Sequence, residues 1–261
     1  MRLKISFIDL HGKDIVFPVH DVKYLLHYLT YNSFSEQMAN KLYLEGFPVN
    51  GRKFKLFTIS DILEKGVVKN GYINFGQSIT FYFSSPLQVL ASDFGNNALR
   101  KSAVKINEFN LYLREFSIMD EPNISGQVLA KTLSPIVEFS TFVHNEKKIT
   151  HYYYPTENEF KCLIEENARK KYIAIKQAQG VSVDEDVVKD LHFDIEPYRF
   201  SQKRNERIVY FKHTVIKGYT GVYRLTGSPE LIKVTYDAGL GAKSSEGFGM
   251  WEIWNKEDKN D

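Results

Sequence analysis

A chain of 261 residues with 43% apolar and 25% charged side chains is ordinary for a globular protein of two domains of about 120–140 residues, and excludes a disordered or fibrous chain. The net charge of +2 says little about partners, and no apolar run approaches the ~18–20 residues needed to cross a membrane. The one cysteine, Cys162, allows neither an internal disulfide nor a cysteine-based metal site, so a reducing cytoplasm is the expected setting.

Residues 3–8 alternate as a strand, and the alternation leaves no apolar core for a secretory leader. A helix is expected from about residue 21, with Asp21 as N-cap and Val22, Leu25, Leu26 and Leu29 forming one apolar stripe. The turn Pro48-Val49-Asn50-Gly51 precedes a β-rich run over 54–59 and a hairpin over 67–83 that turns at Asn70-Gly71. A helix fits 86–101 and a strand 104–116. Asp120-Glu121-Pro122-Asn123 breaks the periodicity. It is read as the linker between domains of residues 1–121 and 122–261. The order then repeats, with a strand over 127–139 and a helix over 156–172, where Thr156 and Glu159 have the capping-box offset. Strands follow at 193–200, 208–215 and 222–226. A short helix opens at Ser228-Pro229, and 247–254 is a last strand. Two β-α-β-β-α-β units predict an α+β fold of tandem ferredoxin-like (RRM-like) domains, each sheet with helices on one face.

Charge is segregated late in the chain. Arg199, Lys203, Arg204, Arg207, Lys212 and Lys217 stand against Glu206 alone, just after an acidic stretch from Asp184 to Glu196. Such a distribution builds a basic face that a polyanion would read, or two solvated segments that differ in sign. The densest motif follows: Gly239, Gly241, Gly247 and Gly249, alternating with Leu240 and Phe248, bracket Lys243, Ser244 and Ser245. Glycines let backbone N–H groups approach phosphate oxygens; the plain alternative is a helix-to-strand turn with no ligand. A dinucleotide fingerprint and a P-loop are both excluded. Only 12 residues follow Gly249, too few to reach an acidic partner about 20 residues on, and alanine precedes Lys243.

G-L-G-x5-G-F-G near the C-terminus, Lys55-Leu56-Phe57-Thr58-Ile59-Ser60, Phe81-Tyr82-Phe83-Ser84 and Thr132-Leu133-Ser134-Pro135-Ile136 together resemble the CRISPR-associated repeat endoribonucleases of the RAMP superfamily. The resemblance runs in order from about residue 1 to 254 and implies the same tandem fold. It further implies endonuclease activity on precursor CRISPR RNA with no metal or cofactor. In that chemistry the 2′-hydroxyl attacks the phosphate, leaving a 2′,3′-cyclic phosphate and a 5′-hydroxyl. CRISPR repeat RNA is the implied partner, no membrane is, and a homodimer and a CRISPR effector complex stay open.

That chemistry needs a base, an acid and a cation on the phosphorane oxygens. The family's helix tyrosine matches Tyr31 and its lysine matches Lys55, whereas its histidine position falls in Leu42-Tyr43-Leu44-Glu45-Gly46 and is Tyr43. With a pKa near 10, a tyrosine is a poor base at neutral pH but still a donor. Three outcomes follow: slow cleavage by Tyr31, Tyr43 and Lys55; a relocated histidine; or binding of repeat RNA without cutting. His27, one helical turn from Tyr31, is the candidate for relocation, with His20 on the same face and His213 a weaker choice. A solvated surface histidine is the alternative for His27. The RNA-binding candidates are Arg52 and Lys53 beside Lys55, Lys203, Arg204 and Arg207, and the loop residues Gly239, Gly241, Lys243, Ser244, Ser245, Gly247 and Gly249. Tyr152-Tyr153-Tyr154 reads better as half-buried strand aromatics than as a stacking platform.

Overall fold

A computed structural model describes residues 1–101 and 103–255; the last six positions of the expected second domain, 256–261, lie outside the described residues. In the first half, β1 (Arg2–Asp9) and β2 (Val16–Pro18) lead into α1 (Val22–Ser33) and α2 (Glu36–Leu44). Short strands follow: β3 (Phe47–Val49), β4 (Arg52–Phe54), β5 (Thr58–Ile59), β6 (Val67–Lys69) and β7 (Tyr72–Asn74). β8 (Ser78–Ser84), α3 (Gln88–Arg100), β9 (Val104–Ile106) and β10 (Phe109–Met119) complete it. The second half begins with β11 (Gln127–Thr132), β12 (Phe139–His144), β13 (Lys147–Tyr152) and α4 (Asn158–Ala178). α5 (Glu185–Lys189), β14 (Phe193–Tyr198), α6 (Gln202–Asn205), β15 (Glu206–Phe211) and β16 (Thr214–Tyr219) come next. β17 (Val222–Gly227), α7 (Pro229–Ala238) and β18 (Trp251–Ile253) close the chain.

The first large sheet has the order β5-β8-β1-β10-β9 and the second β14-β17-β11-β18. In each, the first strand of the unit sits centrally between the third and the last, the antiparallel order of a ferredoxin-like sheet. The apolar stripe of α1 packs with Ile5, Phe7, Phe81, Phe83 and Phe94 in one core. Aromatic rings carry much of it: Phe83 and Phe94 stack at 4.5 Å, and Phe34 meets both Phe57 and Phe83 edge-on or tilted. The second core joins Phe160 and Ile164 of α4 to Leu231 and Ile232 of α7 and to Tyr223, Leu225 and Trp251 of the sheet.

The halves are stitched by polar bonds. Arg2, 5% exposed, donates to the carbonyl of Tyr236 at 2.8 Å and lies 3.7 Å over its ring. The Asp61 N–H donates to the Leu133 carbonyl, and the Ser134 hydroxyl to that of Ile59. No helix among the described residues is long and apolar enough to cross a membrane.

Several sequence expectations are corrected. The expected strand 127–139 ends at Thr132, because residues 133–138 leave the sheet and Pro135 has no N–H to give a ladder. The chain then forms the unforeseen hairpin β12–β13, turning on Asn145 and Glu146, both at positive φ; without the Asn-Gly pair such a turn carries little signal. The expected strand 208–215 is likewise a hairpin, β15–β16, turning at Lys212-His213. Residues 54–59 are split by Leu56, which takes φ 53°, and the hairpin expected over 67–83 covers only β6–β7, while β8 joins the main sheet. The last strand is confined to Trp251–Ile253. α4 begins after Glu157, whose carboxylate accepts the Tyr154 N–H, so Thr156 makes no cap. It runs on to Ala178, with Gly180 at φ 75° beyond it.

Candidate functional site

A cleft of about 680 Å³ opens between the two halves of the chain. Arg52, Lys53, Lys55 and Phe57 line it from the first domain, Phe139–Thr141 and Lys171 from the second, and residues 241–246 of the glycine loop close it. Five of its side chains are basic (Arg52, Lys53, Lys55, Lys171 and Lys243) against Glu138 and Glu246, so the balance favours a polyanion.

The glycine loop leaves α7 at Gly239 and returns to the sheet at Trp251. Its path is fixed by the Thr132–Ile136 motif: the Gly249 N–H donates to Pro135, the Leu133 and Ser134 N–H groups donate to Met250, and the Met250 N–H donates to the Ser134 hydroxyl. The two sequence motifs are thus each other's hydrogen-bond partners. Glycine is required where backbones touch. At Gly249, with φ 75°, a Cβ would sit 1.9 Å from the Leu240 carbonyl oxygen. Gly239, Gly241, Gly247 and Gly249 are all buried, as is Ser244, and Lys243, Ser245 and Glu246 form the half-exposed tip. The tip residue Lys243 is paired with Glu246 at 3.0 Å.

His27 and Tyr31 meet as their helical spacing predicts, with ring centroids 4.6 Å apart. His27 is not a solvated surface residue. Phe211 of β15 covers it edge-on at 5.2 Å, and its Nδ1 lies 3.0 Å from the Ser245 carbonyl. A carbonyl only accepts, so Nδ1 carries the proton and Nε2 is left as the basic nitrogen. Burial holds the imidazole pKa below its usual 6.5, opposed by the Ser245 bond and Glu246 and aided by Lys212. Burial, with Glu246 adding to it, pushes Tyr31 up to about 12. Its hydroxyl therefore keeps its proton and acts as a donor. Ser245 and Phe57, which touch His27 and Tyr31 respectively, are also walls of the cleft.

Lys55 lines the same cleft. Its Nζ donates to the carbonyls of Leu42 and Tyr43, and Lys53 donates to Leu44, so both ammonium groups close the C-terminus of α2, where cations are favoured. Burial, then Lys53, lowers the Lys55 pKa. Tyr43 is 74% exposed, and its ring packs on no other among the described residues. The structure brings Lys55 to the backbone of Tyr43, not Tyr43 to Tyr31. Lys203 and Arg204 on α6 and Arg207 on β15 do not line the cleft and form a separate basic patch. His20, exposed in the turn before α1, faces Asp21 at 3.5 Å, and His213 is exposed in the β15–β16 turn. Tyr152, Tyr153 and Tyr154 are half-buried.

Sequence reasoning missed Lys171, Lys23 and Glu138. Lys171 lies on the buried face of α4 with Phe160, Ile164 and Ala168, so the readable signal was a lysine within an apolar stripe. The two buried groups Glu138 and Lys171 are both drawn toward neutrality by burial, the carboxyl upward and the ammonium downward, each partly offset by the other's charge.

Comparison with known proteins gives a consistent picture. The family model "CRISPR associated protein Cas6, C-terminal" matches residues 119–253. The CRISPR-associated endoribonuclease Cas6 1 of Methanocaldococcus jannaschii is 28% identical over 265 residues, spanning 100% of this chain and 94% of the relative. A solved structure of a CRISPR associated protein Cas6 superposes with a TM-score of 0.75 at 23% identity, covering 98% of this chain and 99% of that one. A RAMP protein described as binding different RNA substrates superposes at 0.74 with 20% identity, covering 98% and 100%. These likenesses bear out the tandem ferredoxin-like fold.

Proposed function

This chain belongs to the Cas6 family, and on that premise we propose that it binds CRISPR repeat RNA and cuts precursor CRISPR RNA as an endoribonuclease. The observation that carries the reading is the basic cleft whose walls, Ser245 and Phe57, hold His27 and Tyr31. Arg52, Lys53, Lys55 and Lys243 take up the phosphates of a single strand. His27 Nε2 removes the proton of the 2′-hydroxyl beside the scissile bond. The oxygen so freed attacks phosphorus, the 5′-oxygen leaves with a proton from the Tyr31 hydroxyl, and a 2′,3′-cyclic phosphate and a 5′-hydroxyl remain. Lys55 supplies positive charge toward the phosphorane. The imidazole near Tyr31 stands in for the one that Tyr43 replaces. The chain divides near residue 121 into a unit carrying the reacting pair and a unit supplying the loop. The reading extends to a cytoplasmic setting, with a homodimer and a CRISPR effector complex as assemblies to assay by gel filtration and co-purification.

A second reading, binding without cutting, is favoured by Tyr43 alone. Incubating the protein with end-labelled repeat RNA in EDTA separates the two. Cyclic-phosphate product supports cleavage, a gel shift without product supports the binder, and neither result would overturn both.

A further inference from the structure

Lys171 is 4% exposed, and the chemistry above does not use it. Its Nζ donates to the Gly239 carbonyl at 2.7 Å, the Gly241 carbonyl at 2.9 Å and the Ser244 hydroxyl at 2.8 Å. All three ammonium hydrogens are thus spent on one half of the glycine loop. From the other domain Lys23, 7% exposed, donates to the Gly247 carbonyl at 2.5 Å, pairs with Asp61, and lies 5.0 Å over the Phe248 ring. The two ammonium groups therefore grip the loop before and after its tip. The tip carbonyl between them, that of Ser245, is the one that holds His27.

We propose that Lys171 and Lys23 are positioning residues that hold the loop tip so that the Ser245 carbonyl fixes the tautomer of His27. This rests on His27 as the base of the reading above. Four loop glycines at positive φ make a backbone with many alternatives. Short bonds from buried lysines, one per flank, select a single path through them. The groups facing His27 are Tyr31 on its own helix, Phe211 and Lys212 of the second domain's hairpin, and Ser245 and Glu246 of the loop. Lys171, on another helix, is not among the groups that shift the imidazole, so its effect travels through the loop, whereas Lys23 stands one turn from His27 on α1.

The test is nitrogen NMR of the imidazoles in the full chain, free of RNA. The wild type should show His27 as the Nδ1–H tautomer, titrating below its usual value. Lys171→Met keeps the length and removes the donors. It should move His27 toward the Nε2–H tautomer and, because the Ser245 bond holds the midpoint up against burial, lower that midpoint further. Lys23→Met should act in the same direction from the other flank. Lys171→Gln, which returns two amide hydrogens, should restore part of the wild-type signal. If Lys171→Met does not fold, Lys171→Gln and Lys23→Met carry the test. Should these variants melt earlier while His27 keeps its tautomer and midpoint, the lysines are only structural and the proposal is overturned. Where cleavage is measured, kcat should fall on the order of tenfold to a hundredfold with KM little changed. A chain that neither binds nor cuts repeat RNA yet shows the shift keeps this inference and loses the preceding one. A chain that cuts RNA with His27 indifferent to both lysines loses this one alone.

Discussion

Cleavage should accelerate as the pH rises through the His27 midpoint and then stay level, because a base works only when unprotonated. Burial holds that midpoint below 6.5, so the acid limb belongs at mildly acidic pH. Tyr31, pushed up to about 12, keeps its proton, so no alkaline fall should appear below about pH 10. His27→Ala removes the base, and loss of such a group costs roughly 10²–10⁴ in rate. Since Nδ1 is only tethered to Ser245, the same substitution should leave repeat affinity within about threefold. The assay is single-turnover cleavage of labelled repeat RNA in EDTA across pH, for both proteins. An acid limb that survives in His27→Ala with the same midpoint, or a plateau rate that falls less than about threefold, would refute the argument. The shift also links stability to pH. The unfolded ring binds its proton more readily, so the His27 contribution is complete above about 6.5 and is lost as pH falls toward the folded midpoint.

Three further outcomes can be checked separately. Gly249→Ala adds about 1–2 kcal/mol for a side chain in the left-handed region to the roughly 1–3 kcal/mol of breaking the buried bond from the Leu240 N–H to the Gly249 carbonyl. Its melting temperature should drop several degrees, whereas Gly12→Ala, at φ 66° with nothing within 4 Å, should lose only the left-handed strain of about 1–2 kcal/mol. Phe94→Ala, which breaks the 4.5 Å stack on Phe83, should cost about 3–5 kcal/mol in denaturant unfolding. Neutralising Arg52 and Lys243 together should weaken RNA binding and reduce the salt slope by about 1.4, at ~0.7 per single-strand phosphate contact. Neutralising Arg204 and Arg207, outside the cleft, should change the slope less. Fluorescence anisotropy across a salt series reads both, and equal effects would deny the cleft its role.

Legibility followed how local each signal was. The α1 stripe, the Asn70-Gly71 turn, with both residues at positive φ, and Pro229 at the start of α7 are each set by a few neighbouring residues, and all were readable. The His27–Tyr31 contact was readable for the same reason, since one helical turn fixes it. The β12–β13 and β15–β16 hairpins were not, because Asn145-Glu146 and Lys212-His213 lack the glycine that usually marks such turns. α2 escaped because it buries only Leu42, though Ser35 caps it by accepting the Met38 N–H. The glycine loop was visible as a motif but its physical purpose was not. Gly239, Gly241 and Gly247 serve close approach to Thr58, residues 137–138 and Lys23, more than seventy positions away in sequence, and Gly249 to Leu240 across the loop. Lys171 was hidden for a like reason: only the folded chain shows that its three acceptors all lie in the loop.

The account's central claim is that the scissile phosphate lies beside His27 and Tyr31, at the Ser245 and Phe57 walls of the cleft. The most direct measurement is to place 4-thiouridine next to that phosphate in a non-cleavable repeat RNA, irradiate the complex and identify the linked peptide by mass spectrometry. The account predicts crosslinks to α1 at His27 or Tyr31 and to the loop tip at Ser245. Crosslinks confined to α6 and β15, around Lys203 to Arg207, with none on α1, would contradict it.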